Sequence, residues 1–222
     1  MAVGRSSRPS GLAMANRTAG VVFLVTTVVA VAAFGLVTIA ASETQPADTL
    51  TAEDGARFEQ KLDSIFRHAN TVSPDARLTS LLEPEINAFL KFQGASLLPT
   101  GLIDPTLRID DAGLVSAEAI VDLDVIREQR PRDWLDPLKY LAGRVAITAA
   151  GTVRSGGGVI QFDIQSVSLA GIPVPVQVLQ ELVRHFTRTV DNPNGTRLDE
   201  PIPLPYLIAE LQLSRGQAVI VQ

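Results

Sequence analysis

Alternating hydrophobic and polar positions divide most of this chain into stretches of helical and strand-like period. From Ala52 onward, Phe58, Leu62, Ile65, Phe66 and Ala69 fall at offsets of 4, 7, 8 and 11, which gathers them on one face of a helix. Thr51 is placed to cap that helix, with Asp54 in its first turn. A second helix is predicted over "TSLLEPEINAFLKF" (Thr79 to Phe92), with Leu82, Ile86, Phe89 and Leu90 as its apolar stripe. Ser80 or Glu83 would cap it, Pro84 is tolerated only in a first turn, and Gly94 ends it.

The period then changes to two. In "LVSAEAIVDLDVI" (Leu114 to Ile126), Val115, Ala117, Ala119, Val121 and Leu123 share one face of a strand, and "DAG" joins it back to "TLRID" (Thr106 to Asp110) as a hairpin. A short helical segment is expected around "DWLDPLKYL" (Asp133 to Leu141). A second hairpin follows: Val145, Ile147, Ala149, Gly151 and Val153 face inward, "SGGG" (Ser155 to Gly158) turns the chain, and Ile160, Phe162 and Ile164 return on one face. Val167 and Leu169 lie on the opposite parity, so a bulge near Gln165 or Ser166 is predicted. Gly171, Pro173 and Pro175 end that strand and start a helix near Val176. Its stripe is Leu179, Leu182, Val183, Phe186 and Val190, its wet side carries Gln180, Glu181, Arg184, His185 and Arg188, and "DNPNGT" closes it. A third hairpin, "YLIAELQLS" and "QAVIVQ", ends the chain. Consecutive hairpins favour an antiparallel sheet, so the expected class is α+β.

Hydropathy changes this picture at the N-terminus. "GVVFLVTTVVAVAAFGLVTIAA" (Gly20 to Ala41) is uncharged and apolar apart from its threonines, and its 22 residues match a bilayer core of about 30 Å. It is longer than the h-region of most signal peptides, so a single transmembrane anchor is the preferred reading, with secretion after cleavage near Ala41 as the alternative. Arg5, Arg8 and Arg17 before the span and Glu43, Asp48, Glu53 and Asp54 after it place the N-terminus in the cytoplasm and the domain outside. The expected organisation is a basic cytoplasmic segment (1–19), an anchor (20–41), a stalk (42–51) and an α+β domain (52–222), in a bacterial inner membrane with the domain periplasmic.

Charge and composition narrow the function classes. Residues 43–222 hold 16 basic and 24 acidic side chains, a net charge of −8 that repels phosphate backbones and anionic head groups, so no nucleic-acid partner is expected. Without cysteine there is neither a disulfide framework nor a thiolate metal site, and no cofactor is expected. His68 and His185 lack a third ligand at a metal-binding spacing, and no nucleophile elbow or phosphate loop occurs. Glu118, Asp122 and Asp124 alternate on a strand face, where solvation is the simpler reading than paired acid and base chemistry. "NGT" (Asn194 to Thr196) fits a glycosylation sequon. No catalytic residue and no metal ligand is assigned, and the protein is read as a non-enzyme.

The inward strand positions are apolar but small. Val115, Ala117, Ala119, Val121, Val145, Ile147 and Ala149 leave room for something bulky, either the protein's own helices or an acyl chain in an open trough. With Phe162, Ile164, Leu179, Leu182, Val183 and Phe186 they form the candidate lipid-groove residues.

A family resemblance bears on the same choice. The anchor, "EPEINAFL" (Glu83 to Leu90), the hairpins, "GIPVPVQVLQELV" (Gly171 to Val183) and "PIPLPYLIAELQLSRGQAVI" (Pro201 to Ile220) resemble membrane-anchored bacterial envelope proteins of the tubular lipid-binding (TULIP/SMP-like) type. The likeness covers Thr51 to Gln222. It implies a twisted antiparallel sheet wrapped against a long amphipathic helix, and non-enzymatic binding or transfer of a phospholipid or other long-chain lipid in envelope maintenance. The alternative expectation is an interaction or assembly subunit of an envelope complex, with a protein partner and a fully packed core.

Overall fold

A computed structural model describes residues 50–71, 75–128, 142–186, 188, 192–198 and 200–222. The expected anchor, almost all of the stalk and the helix expected at Asp133 to Leu141 lie outside the described residues. Among the described residues, no helix is long and apolar enough to cross a membrane.

The first helix, α1 (Ala52–Ala69), starts where the capping residues predict. The Asp54 N–H donates to Thr51 Oγ1 at 3.2 Å and the Thr51 N–H donates back to Asp54 Oδ2 at 3.1 Å, so two otherwise orphaned donors are satisfied. Thr51 holds the Asp54 carboxyl below its ordinary pKa. The second helix differs from its prediction. Residues Leu78–Leu82 form strand β1, and α2 begins only at Glu83 and runs to Phe92. The predicted stripe residue Leu82 is therefore 42% exposed, whereas Ile86, Phe89 and Leu90 are buried. Neither Ser80 nor Glu83 caps the helix: the Leu82 N–H donates to Glu85 Oε2 at 3.1 Å, and Pro84 sits harmlessly in the first turn.

Helices α1 and α2 pack through small residues. A Cβ on Gly55 would lie 3.0 Å from the Ala88 carbonyl carbon, so the backbones approach more closely than larger side chains allow. Phe58 and Phe89 meet beside this contact with ring centroids 5.0 Å apart. Glu85 is buried at the same interface, 2.5 Å from Lys61 Nζ and 3.7 Å from Arg57 Nε, which compensate its desolvated charge.

The sheet is antiparallel throughout but divides in two, a correction to the single sheet expected. The larger one takes β2 (Leu102–Ile109), β3 (Leu114–Asp122), β4 (Arg144–Gly156), β5 (Val159–Leu169) and the two-residue β6 (Ile172–Pro173) in that order, with β7 (Ile202–Pro203) on the other end of β5. The smaller sheet has the order β1, β9 (Gln217–Val221), β8 (Glu210–Ser214). The final hairpin thus pairs with β1, not with the main sheet. Its turn is fastened elsewhere: the Gly216 N–H donates to the Ile109 carbonyl and the Gly216 carbonyl accepts from the Glu83 N–H, each at 2.8 Å.

Strand β3 stops at Asp122, four residues short of the alternation, because Leu123–Glu128 turns into helix α3. Asp122 caps that helix, its Oδ1 accepting from the Val125 N–H at 3.2 Å. The bulge predicted in β5 is present. Ala150 pairs with Ser166 and Gly151 with Ile164, which leaves Gln165 as the extra residue and moves the inward face from Phe162 to Val167 and Leu169. Gly151 is required there, since a Cβ would sit 2.6 Å from the Asp163 carbonyl oxygen.

Candidate functional site

The paired strands bring the candidate residues into rows on one face of the larger sheet. Cross-strand pairing aligns Ile109, Val115, Gly151 and Ile164, then Leu107, Ala117, Ala149 and Val167, then Ala119, Ile147, Leu169 and Ile172, and last Leu102, Val121 and Val145. Residues opposite one another in an antiparallel ladder project to the same side, so these rows form one continuous apolar surface.

Burial changes along that surface. Val115, Ala117, Ala149 and Phe162 are buried within one hydrophobic cluster that also contains Ile86, Phe89 and Leu90 of α2 and Phe58 and Ile65 of α1. Ala119, Val121, Val145 and Ile147 are only half-buried, as is Leu102, and Ile172 is 58% exposed. Ile164 is half-buried and packs against the cluster. Leu102, Leu169 and Ile172 were not among the sequence candidates. Leu169 could have been added from the predicted bulge, whereas Leu102 and Ile172 join the face only through strand register.

The helix after "GIPVP", α4 (Val176–Phe186), begins where the prolines predict. Its 11 residues make it about 16 Å long, shorter than α1. It approaches β5, and Leu179 and Val183 are buried in the same cluster as Phe162. The side chains of Leu182, His185 and Phe186, and residue Val190, lie outside the described part of the molecule.

The rows of Ala119, Val121, Val145 and Ile147 are the open end of the face, and the carboxylates beside them have structural partners. Asp122 accepts from Val125 and, through Oδ2, from Arg144 Nε at 3.3 Å, and the backbone hydrogen bond is the main reason its pKa falls below the ordinary aspartate value. Asp124 Oδ2 accepts from the Gly143 N–H at 3.1 Å, so both acids tie α3 to the start of β4. His68 Nε2 lies 2.8 Å from the Asp75 carbonyl oxygen. Among the described residues, no group of His, Cys, Asp and Glu is arranged to hold a metal. A cleft of about 240 Å³ lies apart from the open end, at the hairpin end of β4 and β5, lined by Arg154, Gln161, Phe162, Asp163, Leu198 and Glu200. Its charges pair as Arg154 with Asp163 at 3.5 Å and Arg197 with Glu200 at 2.9 Å, and among the described residues it offers no nucleophile with an adjacent base.

The edge of the face at β2 is sealed by groups that the sequence did not single out. Asn87 of α2 donates through Nδ2 to the Leu107 carbonyl at 2.8 Å and accepts through Oδ1 from the Leu107 N–H at 2.7 Å, as a neighbouring strand would. One turn earlier, Glu83 Oε2 accepts from the Ile109 N–H at 2.7 Å. The spacing of four residues was the available signal, but it identifies a partner strand only once α2 is placed beside β2.

Comparison with known proteins matches no family model to the chain and finds no similar curated sequence.

Proposed function

We propose that the protein is a single-span, membrane-anchored envelope protein of tubular lipid-binding type whose outward domain holds a long-chain lipid against the open end of the larger sheet. The observation that supports this most is the partly exposed apolar surface of Leu102, Ala119, Val121, Val145 and Ile147, the last of which also packs against the core cluster, continued by the exposed Ile172. A contiguous apolar surface accepts an acyl chain without a polar partner, and its continuity with the buried rows gives one end of the chain a dry environment. The uncharged run Gly20 to Ala41 supplies the membrane part of the reading. The site offers binding only, with no group assigned to chemistry on the ligand.

The test is native mass spectrometry of the full chain, extracted gently from bacterial membranes, followed by identification of any extracted lipid. A stoichiometric phospholipid or other long-chain adduct that is lost in Ala119→Trp is the expected result. A clean apo mass in both proteins would favour the second reading, an interaction subunit of an envelope complex, which draws on the burial of Val115, Ala117 and Ala149 in the core.

A further inference from the structure

The tethered end of the domain carries an exposed aromatic side chain. Gln93 Nε2 donates to the Ala52 carbonyl at 2.8 Å, which fixes the C-terminal end of α2 beside the first residue of α1. Phe92, next to Gln93, is 44% exposed, and Lys91 Nζ lies 5.5 Å from its ring centroid. Ala95 and Ser96, in the 3-10 turn Gly94–Leu97, are also exposed.

Other large exposed hydrophobics among the described residues lie elsewhere. Leu78 follows Arg77, which hydrogen-bonds Ser64, and Leu207 follows Tyr206, whose ring meets Phe66. Both therefore sit toward the C-terminal end of α1, a helix of 18 residues and so about 27 Å long. Ile172 and Val176 lie at β6 and the start of α4.

We propose that Lys91, Phe92 and the turn that follows form the surface with which the domain rests on the bilayer holding its N-terminal span. The inference rests on the membrane-anchor part of the preceding reading. Ten residues of stalk, Ser42 to Thr51, reach at most about 35 Å, so the start of α1 is the part of the domain whose distance from the membrane is bounded most tightly. An aromatic ring with an adjacent lysine suits the interface between acyl chains and phosphate headgroups: the ring enters the boundary while the ammonium meets the phosphates. The acids Glu43, Asp48, Glu53 and Asp54 oppose contact with anionic headgroups and Arg57 offsets only part of that charge, so the ring and the one ammonium carry the contact against the net charge.

The absence of native cysteine makes single-site labelling straightforward. The full chain is reconstituted into phosphatidylcholine vesicles containing one quarter phosphatidylglycerol, with an environment-sensitive fluorophore on Ala95→Cys or on Ser214→Cys. Ser214 is exposed and near the hairpin turn that meets the opposite end of α2. Shallow spin-labelled lipid is expected to quench the Ala95 label at least about twofold and to leave the Ser214 label almost unchanged. Adding Phe92→Ser and Lys91→Gln should bring the Ala95 label down to the Ser214 level. Retention in the vesicles with neither label quenched, or with Ser214 quenched more, overturns the contact surface and leaves the anchor standing. A chain that is not retained at all overturns the anchor and this inference together.

Discussion

The two ends of the larger sheet's inner face have similar sequences and different surroundings. Ala117 and Ala149 face each other inside the hydrophobic cluster that also holds residues of α1 and α2, and Ala149 is 2% exposed; Ala119 faces Ile147 in the next row and both are half-buried. Alternation is the same in both places and each row carries an alanine, so alternation alone does not decide which row is buried. One substitution made at both ends tests the difference. Ala149→Trp forces an indole into a filled cluster and should cost about 3 kcal/mol or more, enough to lose cooperative unfolding. Ala119→Trp should change stability by less than about 1 kcal/mol, and should abolish the lipid adduct proposed above. Thermal unfolding of the two full-length variants, followed by circular dichroism, measures both; equal destabilisation would erase the distinction between the ends.

The closed end depends on the bulge that turns Val167 and Leu169 inward. Gly151→Ala would bring a Cβ to 2.6 Å from the Asp163 carbonyl oxygen and 3.1 Å from Ile164 Cα, both backbone atoms of the paired strand. The ladder must separate there, at an expected cost of about 2 to 3 kcal/mol. A denaturant midpoint unchanged from wild type would show that the strands accommodate the methyl group and that the bulge is looser than its geometry implies.

A smaller effect is expected at the β2 edge. Asn87→Ala removes a donor and an acceptor from the Leu107 peptide group and should cost about 1 to 2 kcal/mol. Asn87→Asp keeps the acceptor but places a carboxylate oxygen against the Leu107 carbonyl, so it should be no better. Hydrogen exchange at the Leu107 amide would rise in both variants. Protection retained in Asn87→Ala would mean that this edge is closed by packing and not by the amide.

Local chemistry was legible wherever neighbours in sequence decide the structure. The Thr51 and Asp54 cap, the turn at "SGGG", the switch of parity in β5 and the helix start after Pro175 all follow from residues within a few positions of one another. The failures are long-range. "TSLL" fits a helical stripe as well as a strand, and only pairing of Leu78–Leu82 with Gln217–Val221 makes it β1. The alternation beyond Asp122 similarly concealed α3, because Asp124 reads as a wet strand position until Asp122 caps the turn before it. At the candidate site, the small inward residues were identifiable, but which rows join the buried cluster with α1 and α2 was not, and that burial decides which of them remain accessible.

The weakest effect expected is one of acidity at the open end. Asp122 holds α3 through the Val125 N–H and faces Arg144 at the start of β4, with Asp124 nearby on the Gly143 amide. Its pKa in the folded protein is below the ordinary value of 3.8, so the folded state binds the proton less readily than the unfolded chain. The stabilisation it contributes is therefore present above that value and is lost as the pH falls through 3.8 toward the folded pKa. Asp122→Asn keeps an acceptor for the cap but cannot titrate. The difference in melting temperature between wild type and this variant should be constant above about pH 5 and shrink below about pH 4. Labels placed at Ala119→Cys and Ala117→Cys would localise the loss: the open end should gain accessibility in acid before the closed end does. A difference that persists undiminished to about pH 2 would assign the role of Asp122 to its shape as a cap and not to its charge.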